Sequence, residues 1–146
     1  MKHTCKTYFS VNFNVDTKLN ATLLRECRNP TLQQLGIFNK DEVEQFIVDN
    51  FHVTPGFCRH RFVLGYNEDY NVDVNEMLRV TLKDLLGKEQ AIATLQQRFS
   101  VTTVLTIVPS IVADSAEPHQ ILSLNKDILD FLSKSGTAMD LDYYVV

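Results

Sequence analysis

The sequence predicts a single α+β domain over residues 1–146: a four- or five-stranded mixed or mainly antiparallel sheet with helices packed mainly on one face. Two observations lead there. The hydrophobic period switches between two and helical spacing several times along the chain, so strands and helices alternate rather than segregate. The order that results is strand, helices, strand, helices, strand, strand, helix, strand, which suits one sheet with helical connections long enough for crossovers. A chain of 146 residues also fits one domain, since at this size folding removes roughly 70% of the unfolded surface from water.

The first element is a strand from Thr7 to Val15, with Phe9, Val11, Phe13 and Val15 on one side and Tyr8, Ser10, Asn12 and Asn14 on the other. Asp16 or Thr17 then caps a short helix bearing Leu19, Leu23, Leu24 and Cys27, which Asn29-Pro30 ends or interrupts. Asn39 with Glu42 three residues on makes a capping-box pattern, and Val43, Phe46, Ile47 and Phe51 form one helical stripe behind it. Thr54-Pro55-Gly56 breaks the chain. A strand is expected from Phe57 to Tyr66, with Cys58, His60, Phe62, Leu64 and Tyr66 alternating against Arg59, Arg61 and Val63, and an acidic loop at 67–71 after it. Asp73 and Glu76 repeat the capping signal ahead of Met77, Leu78, Leu82, Leu85 and Leu86. A further helix from Lys88 carries Ile92, Leu95 and Phe99, either separate or as the far half of one helix kinked at Gly87. Val101–Val112, rich in valine, threonine and isoleucine, reads as a central strand whose regular pairing ends at Pro109. A loop at 113–118 and a short strand at His119–Ser123, able to form a hairpin with it, come next.

The C-terminal stretch has the clearest logic. Asn125 is a helix N-cap, Asp127 places a negative charge in the first turn, and Ile128, Leu129, Phe131 and Leu132 form an apolar stripe. Gly136 sits where a left-handed stop belongs. From Thr137 the period becomes two, with Met139, Leu141, Tyr143 and Val145 facing one way and Ala138, Asp140, Asp142 and Tyr144 the other. The lead-in Leu122-Ser123-Leu124, the helix ending near Phe131-Leu132, the Ser135-Gly136 break and the strand Met139-Asp140-Leu141-Asp142-Tyr143-Tyr144-Val145 resemble the C-terminal signature of an uncharacterised, mostly bacterial family, domain of unknown function 4279. The strand Tyr8–Val15 and the run Leu82–Phe99 resemble it as well. The resemblance implies a fold, a bacterial source and, from some relatives, an immunity-like interaction role. It implies no catalytic residues.

Composition excludes several classes. A net charge of −4 with 14 basic and 18 acidic residues argues against a broad surface for nucleic acid or anionic lipid, so neither partner is expected. Three cysteines, Cys5, Cys27 and Cys58, without CxxC spacing favour a reducing compartment. With no signal-peptide core and no run of 18 apolar residues, the expected location is cytoplasmic. No GxxxxGK[ST], GxGxxG or GxSxG occurs and the histidines lack ligand spacing, so no cofactor and no metal are expected. Cys58 and His60 would share a strand side, which suits a packed cysteine and strand histidine and would also permit a metal contact or a thiol-base pair.

What remains is collective. With helices on one side of the sheet, Tyr8, Ser10, Asn12, Arg59, Arg61, Asp140, Asp142 and Tyr144 fall on the other, and tyrosine and arginine are favoured at interface hot spots. Tyr8, Asn12, Arg59, Arg61, Asp140, Asp142 and Tyr144 are the candidate binding residues. An ordinary solvated face, in which the arginines pair with the aspartates, explains the same residues without a partner. The functional expectation is a non-enzymatic protein-binding module with a protein partner, a toxin being one candidate, or a second copy of the chain. The alternative is a small-molecule binder or hydrolase that uses Asp140 and Asp142 as a carboxylate pair, with Arg59 and His60 nearby.

Overall fold

The computed structural model describes residues 3–15, 31–70, 73–112, 123–142 and 144–145. Among these residues six strands form one mixed sheet: β1 (Thr4–Phe13), β2 (Gly56–Cys58), β3 (Arg61–Tyr70), β4 (Val101–Ile111), β5 (Ala138–Leu141) and β6 (Tyr144–Val145). The helices among them are α1 (Lys40–Phe51), α2 (Val74–Thr81), α3 (Glu89–Phe99) and α4 (Lys126–Ser135). The helix expected after Asp16 lies outside the described residues, as does nearly all of the strand expected at His119–Ser123.

The strand order is β2-β3-β1-β4-β5, with β6 also on β4. β1 is central and antiparallel to both β3 and β4, which therefore run parallel to each other and need the α2–α3 crossover between them. β5 and β6 pair with β4 in parallel and share one register, Ala138 opposite Val104 and Tyr144 opposite Ser110. The short β6 continues β5 along the same neighbour, so the one strand expected after Thr137 is two; this break and the β2–β3 hairpin bring the described strands to six.

The helices cover one sheet face because the odd residues of β1 are apolar or small. Phe9, Val11 and Phe13 are buried with Phe62, Leu105 and Ile107, and Phe9 meets Phe131 of α4 edge to face at 6.3 Å between centroids. Burying each large side chain of this kind stabilises by about 1.5–3 kcal/mol. Val43, Ile47 and Phe51 of α1, Met77 and Leu78 of α2, Ile92 and Leu95 of α3, and Ile128 of α4 complete the core. Leu129, expected in the α4 stripe, is half exposed instead.

Polar contacts fix the helix ends. Asp73 caps α2 by accepting from the Asn75 N–H at 2.9 Å, as expected. Asn75 in turn donates to the Ser123 carbonyl and accepts from the Asn125 N–H, both at 2.7 Å, tying α2 to the entry of α4. Asn125 and Asn39 cap nothing with their side chains; Asn39 instead donates to the Phe99 carbonyl at 3.4 Å. Gly136 adopts the left-handed conformation at φ 71° and stops α4. α2 ends at Thr81, and turns that still bury Leu82 and Leu85 lead through Gly87 to α3, so the two helices are separate.

Three strand expectations change. The single strand expected at Phe57–Tyr66 is a hairpin, β2 and β3, joined by Arg59 and His60 with Arg59 left-handed at φ 58°. The acidic stretch at 67–70 extends β3 rather than forming a loop, because β1 starts at Thr4 and supplies a partner for every residue to Tyr70. Pairing also runs past Pro109, with Ser110 opposite Thr4.

Candidate functional site

Direct pairing partners share a sheet face, so the register places the residues of the face that no described helix covers in rows. One row is Cys58, Arg61, Asn12 and Thr102; the next is Val63, Ser10, Val104 and Ala138. A third is Tyr66, Tyr8, Thr106 and Asp140. Glu68, Lys6 and Val108 form a fourth, and Thr4, Ser110 and Tyr144 a fifth. Asp142 lies in register between Asp140 and Tyr144, and its carboxylate accepts from the Tyr144 hydroxyl at 3.4 Å.

Of the expected site residues, Tyr8, Asn12, Arg61, Asp140, Asp142 and Tyr144 therefore share this face, together with Ser10. Arg59 does not belong to a row, since it occupies the β2–β3 turn. Tyr66 joins the face although strict alternation puts it on the other side. Leu64 is an extra residue between Gly65, opposite Phe9, and Val63, opposite Ser10, and this bulge inverts the parity of β3 from Gly65 onward.

The register also decides whether the arginines and aspartates neutralise one another. Arg61 and Asp140 are separated by three strand spacings, about 14 Å, and by four residues along β1, about 13 Å. No ion pair joins them among the described residues. The face carries positive charge at the β2–β3 turn and negative charge along the opposite, β5 border.

Arg61 leans along β1 instead. It stands opposite Asn12, yet its guanidinium carbon lies 5.4 Å from the Tyr8 ring centre, which takes the side chain across Ser10. Ser10 is 1% exposed, and neither its hydroxyl nor the buried Asn12 Oδ1 has a hydrogen-bond partner among the described residues. A buried polar group left unsatisfied costs about 1–3 kcal/mol. The centre of the face thus holds two polar atoms without a partner among the described residues, beside the Arg61 side chain.

At the other end Thr4, Lys6, Glu68, Val108, Ser110 and Tyr144 line a depression of about 320 Å³. Tyr66 donates to Glu68 at 2.8 Å, and this bond, with some burial and the carboxylate charge, raises the Tyr66 phenol above its usual range. Lys6 escaped the sequence reading because it precedes the expected strand; Glu68, an acidic position expected to take part in binding a partner from a surface loop, stands in β3 opposite Lys6.

Two adjoining hollows of about 410 and 530 Å³ lie on the helical side. They share Arg98 and Phe99, with Phe38, 78% exposed, on one rim and Glu42 and Asp49 on the other.

The candidates for hydrolysis do not converge. Asp140 and Asp142 border β5, whereas Arg59 and His60 lie in the turn across the sheet. Burial, then the charges of Arg61 and Arg59, lower the His60 imidazole from its ordinary 6.5. Burial pushes the Cys5 thiol up to about 11, which leaves it a poor nucleophile, while Cys58 is exposed. Among the described residues, no three His, Cys, Asp or Glu side chains group as metal ligands, and no helix is long and apolar enough to cross a membrane.

Fold and site together define an α+β protein with one helix-covered and one polar sheet face. Comparison of the chain with family models, curated proteins and solved structures gives no match.

Proposed function

We propose that this chain is a bacterial cytosolic protein-binding module of the domain of unknown function 4279 type, non-enzymatic and immunity-like, that engages its partner through the polar sheet face. The observation that carries this reading is the pair of unsatisfied buried atoms, Ser10 Oγ and Asn12 Oδ1, under Arg61 and Tyr8. A partner that displaces Arg61 and bonds to both recovers free energy the isolated fold forgoes.

The divided charge gives such a partner its orientation. A basic surface seats along Asp140 and Asp142, and an acidic group meets Arg61 or Arg59. The tyrosines at 8, 66 and 144 supply contact area with few rotamers to immobilise. For a toxin whose active site is basic, this is inhibition by occlusion. A small-molecule ligand is the second reading, favoured by the depression beside Lys6 and Glu68.

The test is affinity capture of the tagged protein from its host lysate, comparing wild type with Asp140→Lys/Asp142→Lys and with Asp41→Lys/Asp84→Lys. The second variant makes the same charge change at exposed positions off this face. Loss of one stoichiometric partner with the first variant alone supports the reading; equal capture by all three refutes it.

A further inference from the structure

The outer border of the polar face is the edge strand of the described sheet. β5 ends the strand order, and among the described residues nothing pairs with its far edge. Ala138, Met139 and Asp140 are consecutive and all exposed, so both faces of the strand meet water. This is unusual for parallel pairing, which is normally covered on both sides. Met139 at 43%, Tyr144 at 54% and Val145 at 69% are among the exposed large apolar side chains, and all three lie on this border.

The backbone polarity of the edge is set by one bond. The Asp142 N–H donates to the Ile107 carbonyl at 3.0 Å, across to β4. Amides in a parallel strand alternate sides, so Asp140 shares that direction while Met139 and Leu141 offer their N–H and C=O groups outward. An outward pair of such groups, flanked by exposed apolar side chains, is the template for strand addition.

The occupant is decided by charge. Asp140 and Asp142 project from alternate positions of the polar face and form no ion pair with a described residue. A basic segment suits them better than a second copy of the chain: two-fold antiparallel pairing centred on Leu141 would set each Asp140 against the other copy's Asp142, where like charges are destabilising, and pairing centred on Met139 would leave both aspartates without a cation opposite. Resting on the protein-binding reading above, we propose that β5–β6 docks an extended segment of the partner protein as an added strand, with lysine or arginine at alternate positions facing Asp140 and Asp142. The intervening residues of that segment are apolar, to meet Met139 and Val145.

The probe is a fluorescein-labelled extended peptide alternating lysine with valine, followed by anisotropy on the whole protein. Met139→Pro removes one outward N–H and no bond to β4, a substitution that edge strands accept. It should weaken binding by about tenfold or more with the circular dichroism unchanged. Replacing the peptide's lysines with glutamate should abolish binding. Amide hydrogen exchange on the wild type gives a second readout that needs no variant: the peptide should slow exchange at Met139 and Leu141 while leaving Asp140 and Asp142 as they were.

Absence of saturable binding up to about 1 mM, equal binding by folded Met139→Pro, or slow exchange of Met139 and Leu141 in the free protein would each overturn the proposal. A captured partner lost with Asp140→Lys/Asp142→Lys but held as tightly by Met139→Pro would sink strand addition while the protein-binding reading stood.

Discussion

Replacing Gly65 with alanine tests whether the sheet is built as described, because the position admits no side chain. A Cβ there would lie 2.1 Å from the Thr81 carbonyl oxygen and 3.1 Å from its carbon. Both are backbone atoms, so no rotamer change relieves the overlap; β3 and the end of α2 must part by more than about 1 Å to reach a normal non-bonded separation. The same movement stretches the buried hydrogen bond between the Thr7 and Thr81 hydroxyls, now 2.6 Å, past its useful range. Overpacking costs about 1–3 kcal/mol and the lost buried bond about 1–3 kcal/mol more. The expected destabilisation is therefore about 2–6 kcal/mol, a large part of the 5–15 kcal/mol typical of a domain. Urea denaturation followed by circular dichroism measures it. Gly56→Ala is the control, since nothing lies within 4 Å of a Cβ at Gly56 and its backbone is not left-handed. A change below about 1 kcal/mol at Gly65, or equal changes at both glycines, would refute the β3–α2 packing and the bulge that depends on it.

Other outcomes rest on the same structure. Thr137→Val breaks a buried hydroxyl chain, in which Thr137 bonds Thr103 at 2.8 Å and Ser135 at 2.7 Å. It should cost about 1–3 kcal/mol in urea unfolding, and the added changes Thr103→Val and Ser135→Ala should cost less than that each, because the partners vanish together. His60 binds its proton more weakly folded than unfolded, so its contribution penalises the fold as pH falls below about 6.5. Wild type should lose stability relative to His60→Gln between about pH 7 and pH 5, and a constant difference would contradict the shift. Iodoacetamide at about pH 8 should label Cys58 at least about 100-fold faster than Cys5, as mass spectrometry of timed samples reports.

The parts of this fold legible in the sequence are those where one local period persists. The stripes of α1 and α3, the Asp73 cap, the Gly136 stop and the alternation of β1 are all of that kind. The hairpin at Arg59-His60 was hidden because an arginine, rather than glycine or asparagine, takes the left-handed turn position. The end of β3 was hidden by residues with low strand propensity, Asn67, Glu68 and Asp69, whose pairing with β1 overrides it. The single extra residue at Leu64 moved Tyr66 to the polar face, a shift that alternation cannot register. The site was legible as a set of side chains but not as a layout. Whether Arg61 neutralises Asp140 depends on two strands lying between them, and strand order is a long-range property that no local pattern carries.

The most direct test of the central claim is hydroxyl-radical footprinting of the protein alone and with its captured partner. Tyr66, 56% exposed, and Tyr144 report on the polar face, while Phe38 reports on the hollow beside α1 and α3. Binding through the sheet face predicts that oxidation of Tyr66 and Tyr144 falls several-fold in the complex while Phe38 keeps its rate. Protection of Phe38 with both tyrosines unchanged would move the interface to the helical side and contradict the account.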